Sequence, residues 1–141
     1  MDYWEGEGGR SYHHTAPVNA LYGLHESLVM LFEEGLDETI ERHASAHKLM
    51  AAGLSEMGLS LLVDEAVRLP QLNAVTVPEG VDEAKVRARM LSDHGIEIGA
   101  GLGPLAGKIW RIGLMGNSAR EESVQRCLNA LGSSITAVHN Q

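Results

Sequence analysis

The sequence is poor in cysteine and in basic residues. Its 141 residues include a single cysteine, Cys127, so the chain cannot form an internal disulfide and does not resemble a secreted, disulfide-stabilised scaffold. We therefore expect a reducing compartment. Lys and Arg number 11 against 19 Asp and Glu, which gives a net charge of -8 with acidic residues throughout. A nucleic-acid partner is not expected, because such proteins concentrate positive charge on one face.

Long apolar runs are also missing. No stretch approaches the roughly 18 apolar residues of a membrane-spanning helix, and residues 1–10 are acidic and Gly-rich, without the apolar centre of a signal peptide. The sequence thus predicts a cytoplasmic protein with no membrane partner. Its length and its hydrophobic content of 44% suit one compact domain, with or without an appendage.

Apolar residues at spacings of three and four predict four helices. Residues 1–16 show no such period and are predicted to form a loop, and the first helix then spans 17–35, from Pro17 to Gly35. Its apolar stripe consists of Leu21, Leu24, Leu28 and Leu31. The other helices are recognised by their ends: Gly58 closes the second, Asp82 caps the third, and the capping-box pattern Ser118-Ala-Arg-Glu121 opens the last.

Short apolar or alternating runs predict the strands. They fall at 59–63, 73–77 and 109–113, and the run 96–98 is predicted to be a further short strand. The resulting order is helix, helix, strand, strand, helix, strand, strand, helix. This order fits helices laid on one face of a mainly antiparallel sheet, so the sequence predicts an α+β fold.

Two histidines, His43 and His47, stand four residues apart on the second predicted helix. At this spacing two imidazoles can share a metal ion, but the zinc-protease pattern requires a Glu directly after the first His, and Ala44 is there instead. Both histidines fall on the apolar stripe of the helix. We interpret them as packed or partly exposed side chains and predict no metal site.

The Gly-rich segment 99–107 invites comparison with phosphate-binding loops. Gly107-Lys108 matches the end of a Walker motif, but Leu102 stands where the first Gly should be, and Ile109 replaces the required Ser or Thr. A dinucleotide-binding loop also leads into a helix, whereas a strand is predicted here. Two interpretations stay open, a plain connection and a loop whose glycines let a ligand approach closely.

Three side chains carry possible binding chemistry. Arg111 lies in the predicted strand 109–113 and points away from Trp110 and Ile112; it is either a solvated surface residue or a carboxylate-binding group, because a guanidinium matches a carboxylate in two-pronged geometry. Tyr12 and Thr15 offer two hydroxyl groups before the first helix. Thr15 either caps that helix or, together with Tyr12, holds a phosphate.

Longer motifs extend through nearly the whole chain in one order. They are Arg10-Ser-Tyr-His-His-Thr-Ala-Pro17, Ile96-Glu-Ile-Gly-Ala-Gly-Leu-Gly-Pro104 and Gly107-Lys-Ile-Trp-Arg-Ile-Gly-Leu-Met-Gly116. Together they closely resemble the alanine-glyoxylate and serine-pyruvate aminotransferases, which are class V aminotransferases of fold type I with pyridoxal 5'-phosphate as cofactor. The resemblance implies a loop from the end of the large cofactor domain at 1–16, a connecting helix at 17–35 and the small carboxyl-terminal domain at 36–141.

The resemblance also implies roles for individual residues. Tyr12 and Thr15 would bind the cofactor phosphate of the neighbouring subunit in a homodimer, and Arg111 would grip the carboxylate of small amino acids and 2-oxo acids. The implied reaction transfers an amino group from alanine or serine to glyoxylate or pyruvate.

The family's cofactor-binding domain lies upstream of the matching region and has no counterpart in this chain. That domain holds the Schiff-base lysine and the Asp that pairs with the pyridinium nitrogen, and none of Lys48, Lys85 and Lys108 occupies a matching position. No catalytic residue is therefore predicted here, and the chain alone is expected to be inactive. The alternatives are another class V activity, such as a lyase or a different amino donor, and a non-catalytic binding or dimerisation module.

Overall fold

A computed structural model describes residues 14–139, which form two compact units divided between Thr39 and Ile40. The four helices are α1 (Val18–Glu34), α2 (Leu36–Glu56), α3 (Glu83–His94) and α4 (Glu121–His139). The three strands are β1 (Leu72–Thr76), β2 (Gly99–Ala100) and β3 (Ile109–Gly113). The predicted α+β fold class is confirmed. None of the helices in the described part of the chain is long and apolar enough to cross a membrane.

The helix in the first unit, α1, has no buried residue. Pro17 precedes it as N-cap residue, and its carboxyl end is closed by Gly35, whose N–H donates to the Leu31 carbonyl at 2.9 Å with φ at +94°. The helix therefore begins and ends within one residue of the limits expected from Pro17 and Gly35.

The helices of the second unit end where the sequence indicates. At Gly58, φ is +72°, and the next N–H, of Leu59, returns to the Leu54 carbonyl at 2.9 Å, which closes α2 as a glycine cap should. The Asp82 carboxylate accepts the N–H groups of the second and third residues of α3, each at 3.1 Å. These two contacts satisfy amide donors that the helix itself leaves unpaired.

The sheet is antiparallel, with the order β1-β3-β2. β3 is its central strand, because Arg111 lies opposite Ala74 of β1 on one side and opposite Gly99 of β2 on the other. Its alternating side chains divide between two faces of the sheet. Trp110 and Ile112 lie on one face and are at most 3% exposed, whereas Arg111 is half-buried on the other.

The helices of the second unit cover the Trp110 face. Trp110 and Ile112 pack there with Val75 of β1 in one apolar core. Helix residues of this core are Met50 and Leu54 of α2, Val86 and Met90 of α3, and Val124, Leu128 and Leu131 of α4. The Trp110 indole N–H is satisfied by the Glu83 carbonyl at 3.3 Å. The opposite face of the sheet carries Arg111, which is half-buried.

Three local predictions were wrong. The run 59–63 forms only an isolated bridge between Leu61 and Val75, because the chain turns away at Asp64, whose carboxylate accepts the Ala66 N–H at 2.9 Å. The strand expected at 96–98 lies at Gly99–Ala100 instead, since the Ile96 N–H closes α3 on the Met90 carbonyl at 3.0 Å.

The third error concerns Ser118 and the start of α4. The Ser118 hydroxyl accepts the Met115 N–H at 3.0 Å and donates to the Met115 carbonyl at 2.8 Å. These two bonds stabilise the turn Gly116–Ser118. The helix begins only at Glu121. The predicted capping box, in which Ser118 and Glu121 would bind each other's backbone, is therefore not formed.

Candidate functional site

The candidate site is the exposed part of the Arg111 guanidinium. The middle position of β3 places this side chain on the sheet face opposite the core, and its Nε–H donates to the Ala100 carbonyl of the neighbouring strand at 2.7 Å. One short hydrogen bond therefore fixes the plane of the guanidinium against β2.

Both strand neighbours of Arg111 have small side chains. Ala74 lies opposite it on β1, and at Gly99 on β2 an added Cβ would stand 3.2 Å from Nη2 and 3.4 Å from Nε of Arg111. Such contacts are tight, so any side chain at Gly99 would press on the guanidinium. The glycine leaves the space that lets Arg111 lie flat along β2.

The two terminal nitrogens of Arg111 remain available. Within residues 14–139 its only polar contact is the one made by Nε, and it takes part in no ion pair. Nη1 and Nη2 each carry N–H groups in the fixed planar fork that suits two carboxylate oxygens. The arrangement can therefore bind a small carboxylate without breaking an existing contact.

The Gly-rich segment forms one border of this face. The Gly101 N–H donates to the Ile109 carbonyl at 3.1 Å, and a Cβ at Gly101 would collide with the Leu105 carbonyl, so the chain folds tightly here. Positive φ angles of +53° at Gly103 and +75° at Gly107 complete the turn. The segment buries Ile109, which shares a strand face with Arg111, and in this structure it acts as a close-packed connection.

The hydroxyl groups predicted to hold a phosphate belong to the first unit. Thr15 is exposed and lies two residues before Pro17, the N-cap residue of α1, whose side chain makes no capping hydrogen bond. Tyr12 lies outside the described residues. The pairing of these two hydroxyls stays a prediction.

The two histidines on α2 make separate contacts with the sheet and its connections. His43 is buried, and its Nε2 accepts the Gly116 N–H at 3.1 Å. His47 is half-buried, with Nδ1 at 2.7 Å from the Asn73 side-chain oxygen on β1. Among residues 14–139 no group of three or more His, Cys, Asp and Glu side chains is arranged to hold a metal ion.

Sequence patterns identified Arg111 but none of the groups that orient it. The Ala100 carbonyl was missed because β2 was expected three residues earlier, and Gly99 was assigned to a connection. The small residues Gly99-Ala100 beside a strand arginine were the available signal, since only small side chains permit so close an approach. No sequence feature pointed to the His43 contact with Gly116.

Comparison with known proteins identifies relatives along most of the chain. It is 45% identical over 123 residues to the (S)-ureidoglycine–glyoxylate transaminase of Bacillus subtilis, covering 87% of this chain and 29% of that protein. It is 44% identical over 123 residues to the alanine–glyoxylate aminotransferase of Callithrix jacchus, covering 86% of this chain and 30% of the relative. No model of a protein family matches the sequence.

The similarity extends to the fold. The crystal structure of alanine–glyoxylate aminotransferase from Nostoc sp. superimposes with a TM-score of 0.86 at 46% identity, over 94% of this chain and 35% of that one. The resemblance drawn from the sequence motifs is thus confirmed, and the chain corresponds to a carboxyl-terminal portion of these aminotransferases. It spans about a third of their length.

Proposed function

We propose, from this homology, that the chain is part of a pyridoxal-phosphate-dependent aminotransferase that moves an amino group from alanine or serine to glyoxylate or pyruvate. The names of the relatives support an aminotransferase whose acceptor is glyoxylate. Donors and acceptors of this class are small amino acids and 2-oxo acids, and each of them carries a carboxylate. We therefore expect this part of the enzyme to supply a group that binds a carboxylate.

The observation that carries the proposal is the available end of Arg111. We assign its Nη1 and Nη2 to the substrate carboxylate, while the Nε bond to the Ala100 carbonyl keeps the fork oriented. A charge-assisted, two-pronged contact holds the substrate in one direction as well as in place. In this role Arg111 binds and orients the substrate but moves no proton.

The chain's residues fit a supporting role toward the cofactor. The Thr15 hydroxyl lies on the surface, where a phosphate from a neighbouring subunit could reach it, and Tyr12 is proposed as its partner. All three lysines, Lys48, Lys85 and Lys108, are exposed, and none lies on the strand face of Arg111. We place the lysine that attaches the cofactor in the large cofactor domain of the complete enzyme, outside these 141 residues. When bound, pyridoxal phosphate takes up the electrons released at the substrate's α-carbon.

The same proposal includes the domain assignment and the assembly. Residues 1–16 would end the large cofactor domain, 17–35 would connect the domains, and 36–141 would form the small domain of a cytoplasmic homodimer. The exposed apolar residues of α1 support a connecting role, because such side chains are normally covered by another surface.

A second candidate differs in the amino donor. The Bacillus subtilis relative is named for ureidoglycine and glyoxylate, so a donor other than alanine or serine is equally compatible with the acceptor that the two relatives share. A non-catalytic binding module is the third possibility. Assays of the complete enzyme with glyoxylate and each donor in turn distinguish these three.

The assignment of Arg111 is tested by Arg111→Lys in the complete enzyme. Lysine keeps the charge but loses the planar fork, so KM for both amino donor and 2-oxo acid should rise about tenfold, the size of one lost charge-assisted hydrogen bond. Arg126→Lys is the matched control, because Arg126 is exposed on α4 and donates to the His94 carbonyl at 2.9 Å. Unchanged KM values in Arg111→Lys would show that the carboxylate binds elsewhere.

A further inference from the structure

The turn that follows β3 is held by α2 through three hydrogen bonds. His43 Nε2 accepts the Gly116 N–H at 3.1 Å, while Arg42 Nη1 donates to the Gly116 carbonyl at 2.7 Å and to the Ala119 carbonyl at 3.0 Å. Two adjacent side chains of one helix thus bind both backbone groups of a single glycine, 73 residues further along the chain from His43.

The Ser118 hydroxyl also holds this turn, through Met115, but side chains bind the backbone of Gly116 itself only from α2 among the described residues. Gly116 has a φ of +54°, and a Cβ added to it would meet nothing within 4 Å. Within the turn, only the Ala119 N–H contacts the Gly116 carbonyl, at 3.2 Å. Because glycine has more backbone conformations open to it than any other residue, the contacts from α2 add to the Ser118 hydrogen bonds in restricting the conformation at Gly116.

The position of the turn affects the surroundings of Arg111. The Met115 methyl lies 3.4 Å from the point where a Gly113 side chain would begin, and Gly113 shares a strand face with Arg111. Met115, which is 56% exposed, therefore borders this face of β3 at Gly113, two residues along the strand from Arg111. A shift of Gly116 would move both the end of β3 and this border.

We propose that Arg42 and His43 are positioning residues for carboxylate binding. By fixing the backbone of Gly116 they set the end of β3 and the place of Met115, which borders the strand face on which Arg111 presents Nη1 and Nη2. Neither side chain touches the substrate. The inference rests on the proposed function of Arg111 and adds to it two residues that fix the border of the same strand face.

A double-mutant cycle in the complete aminotransferase tests this role. His43→Leu removes the acceptor for the Gly116 N–H, and His43→Gln supplies a new acceptor oxygen. His43→Leu should raise KM for amino donor and 2-oxo acid about fivefold, as is typical of a substitution that acts indirectly on a site, with kcat nearly unchanged, and His43→Gln should restore most of the binding. In the Arg111→Lys background, His43→Leu should add little, because an effect that acts through Arg111 disappears when the fork is removed.

The outcomes separate this inference from the proposed function. If Arg111→Lys leaves KM unchanged, the carboxylate assignment itself fails. If Arg111→Lys raises KM but His43→Leu does not, or if the two effects simply add, Arg111 keeps its role and the positioning role of His43 is refuted. Amide exchange at Gly116 should accelerate in His43→Leu and stay slow in His43→Gln. Should His43→Leu fail to fold, Arg42→Met compared with Arg42→Lys measures the same coupling through the Gly116 carbonyl.

Discussion

Individual arginines in this chain use their nitrogens differently. Arg42 and Arg126 direct a terminal nitrogen to backbone carbonyls and so tie helices to neighbouring segments. Arg111 is held through Nε, at 2.7 Å from the Ala100 carbonyl, and its terminal nitrogens have no hydrogen-bond partner within residues 14–139. Residue type alone does not distinguish these roles, because the neighbouring backbone carbonyls determine which guanidinium nitrogen forms a hydrogen bond.

Cys127 carries a buried thiol whose pKa is shifted by its surroundings. It is 7% exposed in the core, and burial raises the pKa of its thiol to about 11 from an ordinary value of 9.0, because the thiolate is poorly solvated there. The neutral thiol is favoured in the folded state. Its contribution to stability is therefore complete below about pH 9 and is lost as the pH rises toward about 11.

We predict that the free energy of unfolding falls by roughly 3 kcal/mol from this source as the pH rises through that window. The measurement is urea unfolding of the wild type and of Cys127→Ala at several pH values. Since other groups also titrate, the relevant quantity is the difference between the free energies of unfolding of the two proteins. This difference should shrink as the pH increases. A difference that is independent of pH would contradict the buried-thiol account.

The candidate site was predictable only in part at this scale. The alternation of residues along 109–113 correctly placed Arg111 on one face of the sheet and Trp110 and Ile112 on the other, because strand geometry alone determines the face. The groups that orient Arg111 depend on pairing between distant segments, which local patterns do not encode. The Ala100 acceptor requires the register of β2 against β3, and the restraint on Gly116 requires the packing of α2 against the turn after β3.

At the scale of elements, helices were predicted more accurately than strands. Helix ends are set by local chemistry, such as the Asp82 carboxylate at the start of α3 and the left-handed Gly95, with φ at +65°, at its end. Strands exist only where a partner is present. The run 59–63 is apolar enough for a strand, yet it pairs with β1 only at Leu61, because the chain turns away immediately afterwards.

The helix α1 supports a prediction about association. Leu21, Leu24 and Leu28 are 52%, 56% and 44% exposed, and together they leave an apolar stripe in contact with water. We expect the isolated chain to form dimers or larger species, because burying such a stripe is favourable. Sedimentation velocity should show this, and Leu24→Ser combined with Leu28→Ser should shift the population toward monomer.

The control for this experiment lies on the same helix. Ser27 is exposed, so Ser27→Ala changes the helix without changing the apolar stripe and should leave the sedimentation profile as it is. A wild-type chain that stays monomeric at high concentration would count against the assignment of α1 as a connecting helix.

At the scale of the whole molecule, we expect this chain to orient the substrate and to carry out no reaction on its own. We predict that the isolated chain does not transaminate, because we place the lysine that attaches the cofactor in the large domain of the complete enzyme. Incubation with a low excess of pyridoxal phosphate, borohydride reduction and peptide mapping should give only weak, scattered labelling of Lys48, Lys85 and Lys108. Stoichiometric labelling of one lysine, with alanine-dependent loss of glyoxylate, would overturn this prediction.

The strand order β1-β3-β2 also determines when the sheet can form during synthesis of the chain. The central strand is the last of the three to be synthesised, so while the ribosome is still producing the Gly-rich segment, β2 has no partner and β1 has only its bridge to Leu61. The sheet cannot assemble before Ile109–Gly113 has left the exit tunnel, and closing pairings this distant in sequence is the slow part of folding. β3, with Arg111, therefore pairs with two strands that were synthesised before it. A nascent chain stalled before β3 would leave the unpaired edges of β1 and β2 exposed to other chains.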